Sequence, residues 1–101
     1  NVNDSFIHSN NGNGFVCEGQ GSTINLENSY IYSHTKASGG VIKNFAKAFI
    51  SGCEFYRNIM NNISILQSGE AKVKNSKLHS SGGSVASVFV SYSGILNIEY
   101  I

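Results

Sequence analysis

A pattern of apolar and small residues repeats four times along the chain. Each unit places an apolar residue first, a small residue three positions later and a second apolar residue two positions after that; the units begin at Val2, Leu26, Ile50 and Val73. The small residues are Ser5, Ser29, Cys53 and Ser76, separated by 24, 24 and 23 positions. A fixed period in the twenties predicts a repeat architecture.

The spacing inside each unit predicts a bend. Side chains on one face of a strand lie two residues apart, whereas the first apolar and the small position lie three apart. The residue immediately before the small position is Asp4, Asn28, Gly52 or Asn75. These residue types adopt the left-handed backbone conformation at low cost. We therefore expect a bend in each repeat, with positive φ at most of these four residues.

Further apolar runs complete each repeat. Ile24, Ala48 and Ala71 precede the first apolar position by two residues; separate runs lie at 15–17, 41–42, 63–65 and 88–90, and Leu96 and Ile98 begin a fifth turn. A unit of about three short strands cannot close a core alone, but stacked coils can. The sequence predicts an all-β fold, a right-handed parallel β-helix of about four coils of 23–25 residues. The periodicity alone does not give the handedness, which rests on the general rule for parallel crossovers and on the family resemblance described next.

Two motifs carry a resemblance to known families. Gly39-Gly40-Val41-Ile42 followed by Phe55-Tyr56-Arg57-Asn58 resembles the GGA[I/L] and FxxN repeat of polymorphic outer-membrane autotransporter proteins. The wider unit, apolar-x-[Asn/Gly]-[Cys/Ser]-x-apolar, is similar to the pectin-lyase-like superfamily of parallel β-helices. The other repeats keep the spacing but mostly lose the asparagine of FxxN. The equivalent position holds His34 or Ser81 in two of them and keeps an asparagine, Asn10, in the third.

Composition excludes some classes of partner. Charged residues make up 13% of the 101 residues and the net charge is only +1. Nucleic acids and anionic membrane surfaces both require a basic face, and no apolar run reaches the roughly 18 residues of a membrane span. We expect residues 1–101 to form a single β-helix segment of a longer solenoid or fibre, with no cofactor.

The cysteines and sequons predict little chemistry. Cys17 and Cys53 are expected to be unbonded, because two coils separate them by about 9.5 Å along the axis and a disulfide needs Cα atoms within roughly 7 Å. Neither belongs to a C-x-x-C motif that would predict zinc. Two sequons make Asn62 and Asn3 possible N-glycosylation sites. Asn62 lies near a bend where a glycan could project, whereas Asn3 lies in a strand, which is a poorer acceptor.

The acidic residues do not form the cluster that polysaccharide lyases and hydrolases on this scaffold use. Glu27, Lys74 and Glu99 are predicted to share one outward column, and no two carboxylates fall on adjacent coils of a column. His8 and His79 share another column but lie three coils apart, roughly 14 Å. We therefore predict neither a catalytic nor a metal site.

The strand that follows the bend has an outward face rich in rings and charges. Its paired outward positions are Phe6 and His8, Tyr30 and Tyr32, Glu54 and Tyr56, and Lys77 and His79. One interpretation is cross-coil stacking that supports the sheet, worth a few tenths to about 1 kcal/mol per pair. The other is a flat platform that binds a sugar or a protein. The candidate ligand or partner face comprises His8, Tyr30, Tyr32, Tyr56, Lys77 and His79.

Three hypotheses for function remain. The first is a non-catalytic structural or adhesive β-helix module of an extracellular or cell-surface protein or filament. The second is a fragment of a carbohydrate-active enzyme whose catalytic coils lie outside these residues, and the third is an intracellular scaffold element. Stacked coils that lack a neighbour expose strand edges, so we expect both ends to meet more protein, in the same chain or in a head-to-tail copy.

Overall fold

The computed structural model describes residues 1–79, 88–90 and 94–99, and these residues contain thirteen strands and no helix. The strands are β1 (Val2–Asn3), β2 (Phe6–His8), β3 (Phe15–Glu18), β4 (Thr23–Glu27), β5 (Tyr30–Tyr32), β6 (Gly40–Lys43), β7 (Lys47–Ser51), β8 (Glu54–Tyr56), β9 (Ile63–Ile65), β10 (Glu70–Lys74), β11 (Lys77–His79), β12 (Val88–Val90) and β13 (Ile95–Glu99).

The strands form three parallel sheets. The first sheet has the order β1-β4-β7-β10-β13, the second β2-β5-β8-β11 and the third β3-β6-β9-β12. Three consecutive strands therefore make one coil, and every strand pairs with its equivalent in the next coil. The register joins Leu26 to Ile50 and Ile50 to Val73, as the sequence repeat requires. The predicted parallel β-helix with three strands per coil is confirmed.

The predicted bend between the first and second sheets is present in every described coil. Asp4, Asn28, Gly52 and Asn75 have φ values of 51°, 52°, 65° and 50°. The bends remain within the hydrogen-bonded stack, since the Asn28 amide donates to the carbonyl of Ser51 in the next coil at 3.0 Å. All four residues therefore adopt the left-handed conformation, and the expectation is confirmed.

A second bend separates the second and third sheets, and the sequence pattern did not identify the residues that form it. Ser9, Ser33 and Arg57 have φ values of 58°, 59° and 55°. Serine and arginine have no special preference for this conformation, so their types gave no signal. The stacking of each coil on the next imposes it, as the amide of Ser33 donates to the Tyr56 carbonyl at 3.2 Å.

The core is a set of apolar columns that run through the coils. Leu26, Ile50 and Val73 of the first sheet are at most 2% exposed, and Ile31 and Phe55 of the second sheet are fully buried. The third sheet contributes Ile42 and Ile65, also fully buried. These residues occupy the apolar positions that the sequence pattern assigned to the interior.

The small inward column is a hydrogen-bonded ladder; its members are Ser5, Ser29, Cys53 and Ser76. Ser29 Oγ donates to the Glu27 carbonyl at 2.8 Å and accepts the Ser5 amide at 3.1 Å. Ser76 Oγ likewise accepts the Cys53 amide at 3.1 Å. A small hydroxyl therefore satisfies backbone groups that the bend removes from the sheet ladder.

The paired glycine and FxxN motifs pack against each other. A Cβ on Gly39 would lie 2.6 Å from the carbonyl oxygen of Asn62 and 2.8 Å from Nδ2 of Asn58. A Cβ on Gly40 would overlap the ring of Phe15. That ring reaches Phe55 in an edge-to-face contact with centroids 6.3 Å apart. The two glycines thus leave room for the aromatic ring and the amide that fill the coil.

Candidate functional site

Four rings stack along the outer face of the second sheet. The register of β2, β5, β8 and β11 aligns His8, Tyr32, Tyr56 and His79 in one column. Their ring centroids are 4.9, 4.8 and 5.5 Å apart and neighbouring rings are within 7° of parallel. The sequence-predicted cross-coil stacking is therefore present, and we call this column the ring stack.

The geometry of the ring stack determines what it offers to a partner. Neighbouring rings cover each other's faces, so the stack presents ring edges with hydroxyl groups and ring nitrogens. The pKa of Tyr56 is raised, mainly by partial desolvation and to a smaller extent by the nearby Tyr32 and Glu54. That hydroxyl therefore remains protonated and can donate a hydrogen bond. The stack is suited to edge-on hydrogen bonding more than to stacking on a sugar face.

A second outward column runs beside the ring stack and contains Phe6, Tyr30, Glu54 and Lys77. Phe6 and Tyr30 stack with centroids 5.1 Å apart and are 64% and 41% exposed. Glu54 Oε2 lies 2.6 Å from Nε2 of His79, which links two coils and the two columns. Lys77 makes no ion pair with any described residue.

The two columns together form what we call the ring face: the ring stack plus Phe6, Tyr30, Glu54 and Lys77. Its two halves differ in shape. The first and second coils contribute the exposed rings of Phe6 and Tyr30, whereas a recess of about 230 Å³ begins beside Tyr30 and extends over the third and fourth coils. The recess is lined by Tyr30, Gly52, Cys53, Glu54, Asn75 and Lys77. The structure thus brings all six predicted face residues onto one surface.

The first sheet has a larger open groove that sequence reasoning missed. Its volume is about 880 Å³ and its outward lining residues are Asn25, Glu27, Phe49, Ser51, Lys72 and Lys74. Phe49 is 40% exposed, and Nζ of Lys72 lies 6.0 Å from the centre of its ring. The repeat register aligns Asn25, Phe49 and Lys72, so a comparison of outward positions one period apart would have revealed this column.

The carboxylates are dispersed among cations. Glu27, Ser51, Lys74 and Glu99 form the column that the sequence predicted. Glu18 lies 3.8 Å from Nζ of Lys43. Within residues 1–79, 88–90 and 94–99, no group of three or more His, Cys, Asp and Glu side chains is placed to hold a metal ion.

Both cysteines are free and buried, which confirms that they are not bonded to each other. Burial raises the pKa of both thiols. Cys53 Sγ donates to the Ser51 carbonyl at 3.5 Å, so it replaces serine in the small inward column. A protonated, buried thiol is a poor nucleophile, and these cysteines do not distinguish an oxidising compartment from a reducing one.

The structure corrects the interpretation of Asn62 as a surface sequon. Its side chain is fully buried, where Oδ1 accepts from Nδ2 of Asn58 at 2.8 Å and Nδ2 donates to the His79 carbonyl at 3.1 Å. A glycan on that nitrogen would require the coil to open. Asn3 is exposed in β1 and remains a predicted acceptor.

Comparisons of the chain with protein-family models, with curated proteins and with solved structures find no match. The resemblance to autotransporter repeats and to the pectin-lyase-like superfamily therefore rests on the repeat residues and stays a prediction. In the part of the chain that the structure describes, no helix has the length and apolar character needed to cross a membrane.

Proposed function

We propose that the chain is a non-catalytic structural and adhesive module of a larger surface protein or filament. The observation that carries this proposal is the regular set of columns, apolar and hydroxyl-lined inside and ring-bearing outside. Such a stack gives a rigid axis whose length grows with coil number. Its contacts are those between neighbouring coils, and further coils of the same protein or of head-to-tail copies would extend them.

The ring face supports the adhesive part of the proposal. Rings with polar edges are enriched where proteins contact one another, because they bury apolar area and retain hydrogen-bonding groups. The rings of Phe6 and Tyr30 are exposed beside a row of hydroxyls and ring nitrogens. A surface protein is the partner that this combination favours.

An attachment assay tests the proposed function. Beads that carry the chain are brought to surfaces coated with defined glycans, defined matrix proteins or the chain itself, and detachment force is measured. Attachment should fall several-fold for the double variant Tyr32→Ser/Tyr56→Ser and persist for Phe49→Ser, an exposed aromatic on another face. Release of reducing ends from any soluble polysaccharide would contradict the non-catalytic assignment, and no attachment to any surface would contradict the adhesive one.

The groove of the first sheet favours a second candidate, a fragment of a carbohydrate-active enzyme. Its volume of about 880 Å³ lies in the range of roughly 300–1,000 Å³ that is usual for ligand sites. It combines an exposed aromatic ring with amide, carboxylate and ammonium groups. Calorimetric titration with neutral and acidic oligosaccharides tests this candidate: binding that Phe49→Ser abolishes and Tyr32→Ser/Tyr56→Ser leaves intact would favour it.

A further inference from the structure

The ring face is complementary to a reversed copy of itself. Rings protrude from its first two coils, at Phe6 and Tyr30. The recess of about 230 Å³ lies over its last two coils, beside Glu54 and Lys77, and Tyr30 of the second coil forms its near wall. A rotation that reverses the order of the coils places each copy's protruding rings over the other copy's recess.

The order of residue types along the ring stack is also unchanged when the coils are reversed. Read along the solenoid axis, its members are His8, Tyr32, Tyr56 and His79. The order is histidine, tyrosine, tyrosine, histidine in either direction. A copy in the opposite orientation therefore sets tyrosine against tyrosine and histidine against histidine, with ring edges facing ring edges.

From these two observations we propose that the partner of the ring face is a second copy of this chain, docked antiparallel. The inference rests on the proposed adhesive function and names its partner. The two-fold axis runs along the strands and passes between the second and third coils. Such an interface is isologous, so one patch serves both subunits and the contact closes on itself.

The antiparallel arrangement pairs groups that attract. Phe6 meets the partner's Lys77, whose ammonium group can lie over the ring as a cation–π contact. Tyr30 meets the partner's Glu54, and its hydroxyl can donate to carboxylate oxygen Oε1, because the hydrogen bond to His79 uses Oε2.

An in-register arrangement, with the two-fold axis along the solenoid, is less favourable. It would set Lys77 against the partner's His79 and so remove its ammonium group from the ring of Phe6. It would also set the rings of Phe6 and Tyr30 against the partner's ring stack, and no ring would enter a recess. The Phe6–Lys77 contact, the Tyr30–Glu54 hydrogen bond and the shape of the recess therefore favour reversal of the coils.

The patch is small, which sets the strength of association. Three coil spacings give it a height of about 14 Å, so the buried area falls in the weak class below about 1,200 Å². A few described coils should therefore associate transiently. A solenoid that displays several such patches in a row would gain from multivalency.

Cross-linking with introduced cysteines tests the orientation. Two chains are prepared in a Cys17→Ala/Cys53→Ser background, one with Phe6→Cys and one with Lys77→Cys, and a fold check by circular dichroism precedes mixing at high concentration. Treated with a bis-maleimide reagent that can span two packed sheet faces, about 10 Å apart or more, the mixture should yield a cross-linked heterodimer at least tenfold in excess of the Phe6→Cys homodimer. Lys72→Cys, an exposed lysine position on the first sheet, should cross-link with neither.

Each other outcome overturns the inference. Homodimers of the Phe6→Cys chain in excess would indicate the in-register arrangement. No cross-link, with sedimentation as a monomer up to millimolar concentration, would exclude the second copy as the partner. In that case, bead attachment to a glycan or matrix surface that depends on Tyr32 and Tyr56 would leave the proposed function standing, and loss of all attachment would reject both.

Discussion

At the residue scale, backbone conformation limits which side chains the first bend accepts. Asn28 has a φ of 52° and an exposed side chain. A β-branched residue is strained there, so Asn28→Val should lower the free energy of unfolding by roughly 1–2 kcal/mol. Asn28→Gly is the matched control, because glycine adopts this conformation freely, as Gly52 does at the equivalent position with a φ of 65°. Chemical denaturation of the three proteins measures the difference; equal losses for both variants would contradict the role of φ.

His34 is an interior residue whose protonation state is coupled to folding. It is fully buried, and its Nδ1 accepts the Asn10 amide at 3.4 Å. Burial lowers its pKa from the ordinary value of 6.5, and the backbone of Ile7 opposes this only in part. Because the unfolded chain then binds the proton more readily, stability is complete above the ordinary pKa and is lost as the pH falls through it.

The variant His34→Asn should remove that pH dependence. Asparagine already occupies the same column one coil later, where Asn58 Nδ2 donates to the Ile31 carbonyl at 3.3 Å. Thermal melts of both proteins from neutral pH to about pH 5 should show the wild type losing more stability than the variant. Comparison with the variant isolates the contribution of His34, because the rest of the chain is the same in both proteins. Parallel pH profiles would show that His34 is not the source of the loss.

At the element scale, the fit of Gly39 against the next coil explains why the glycine and FxxN motifs occur together. A Cβ at Gly39 meets a backbone carbonyl oxygen at 2.6 Å, and backbone cannot move aside cheaply. We expect Gly39→Ala to cost about 1–3 kcal/mol of unfolding free energy. Gly12→Ala is the control, since no atom lies within 4 Å of its Cβ position and alanine there should be neutral or slightly stabilising. Equal effects of the two substitutions would show that contact with the next coil is irrelevant.

The first bend and the strands could be predicted because local chemistry repeats there. Four residues that tolerate positive φ mark the first bend, and apolar positions two apart mark the strands. The residues of the second bend could not be predicted, because Ser9, Ser33 and Arg57 adopt φ values of 55–59° only in response to stacking.

The candidate site likewise has features that the sequence predicts and features that it does not. The ring stack follows from the period alone, since its members recur at equivalent positions. The recess beside Glu54, the groove around Phe49 and the burial of Asn62 depend on how side chains fill space between coils. A one-dimensional pattern does not contain that information.

At the scale of the whole molecule, a solenoid has nearest-neighbour energetics, and its stability should vary along the axis. Strands β4 to β9 each pair with a strand on both sides, whereas β1, β2 and β3 pair on one side only. Amide hydrogen exchange should therefore be slowest in the second and third coils and faster in the first.

Two core substitutions sharpen that test. Ile7→Ala removes an apolar side chain from the first coil, so it should accelerate exchange in β1 to β3 and leave β7 to β9 nearly unchanged. Phe55→Ala creates a cavity in a fully buried position of the third coil, a loss of about 3–5 kcal/mol, and it should accelerate exchange in every coil that stacks on it. Exchange monitored by mass spectrometry at peptide resolution measures both. Uniform protection in the wild type, together with a uniform response to Ile7→Ala, would mean that the coils unfold as one cooperative unit and not in sequence along the axis.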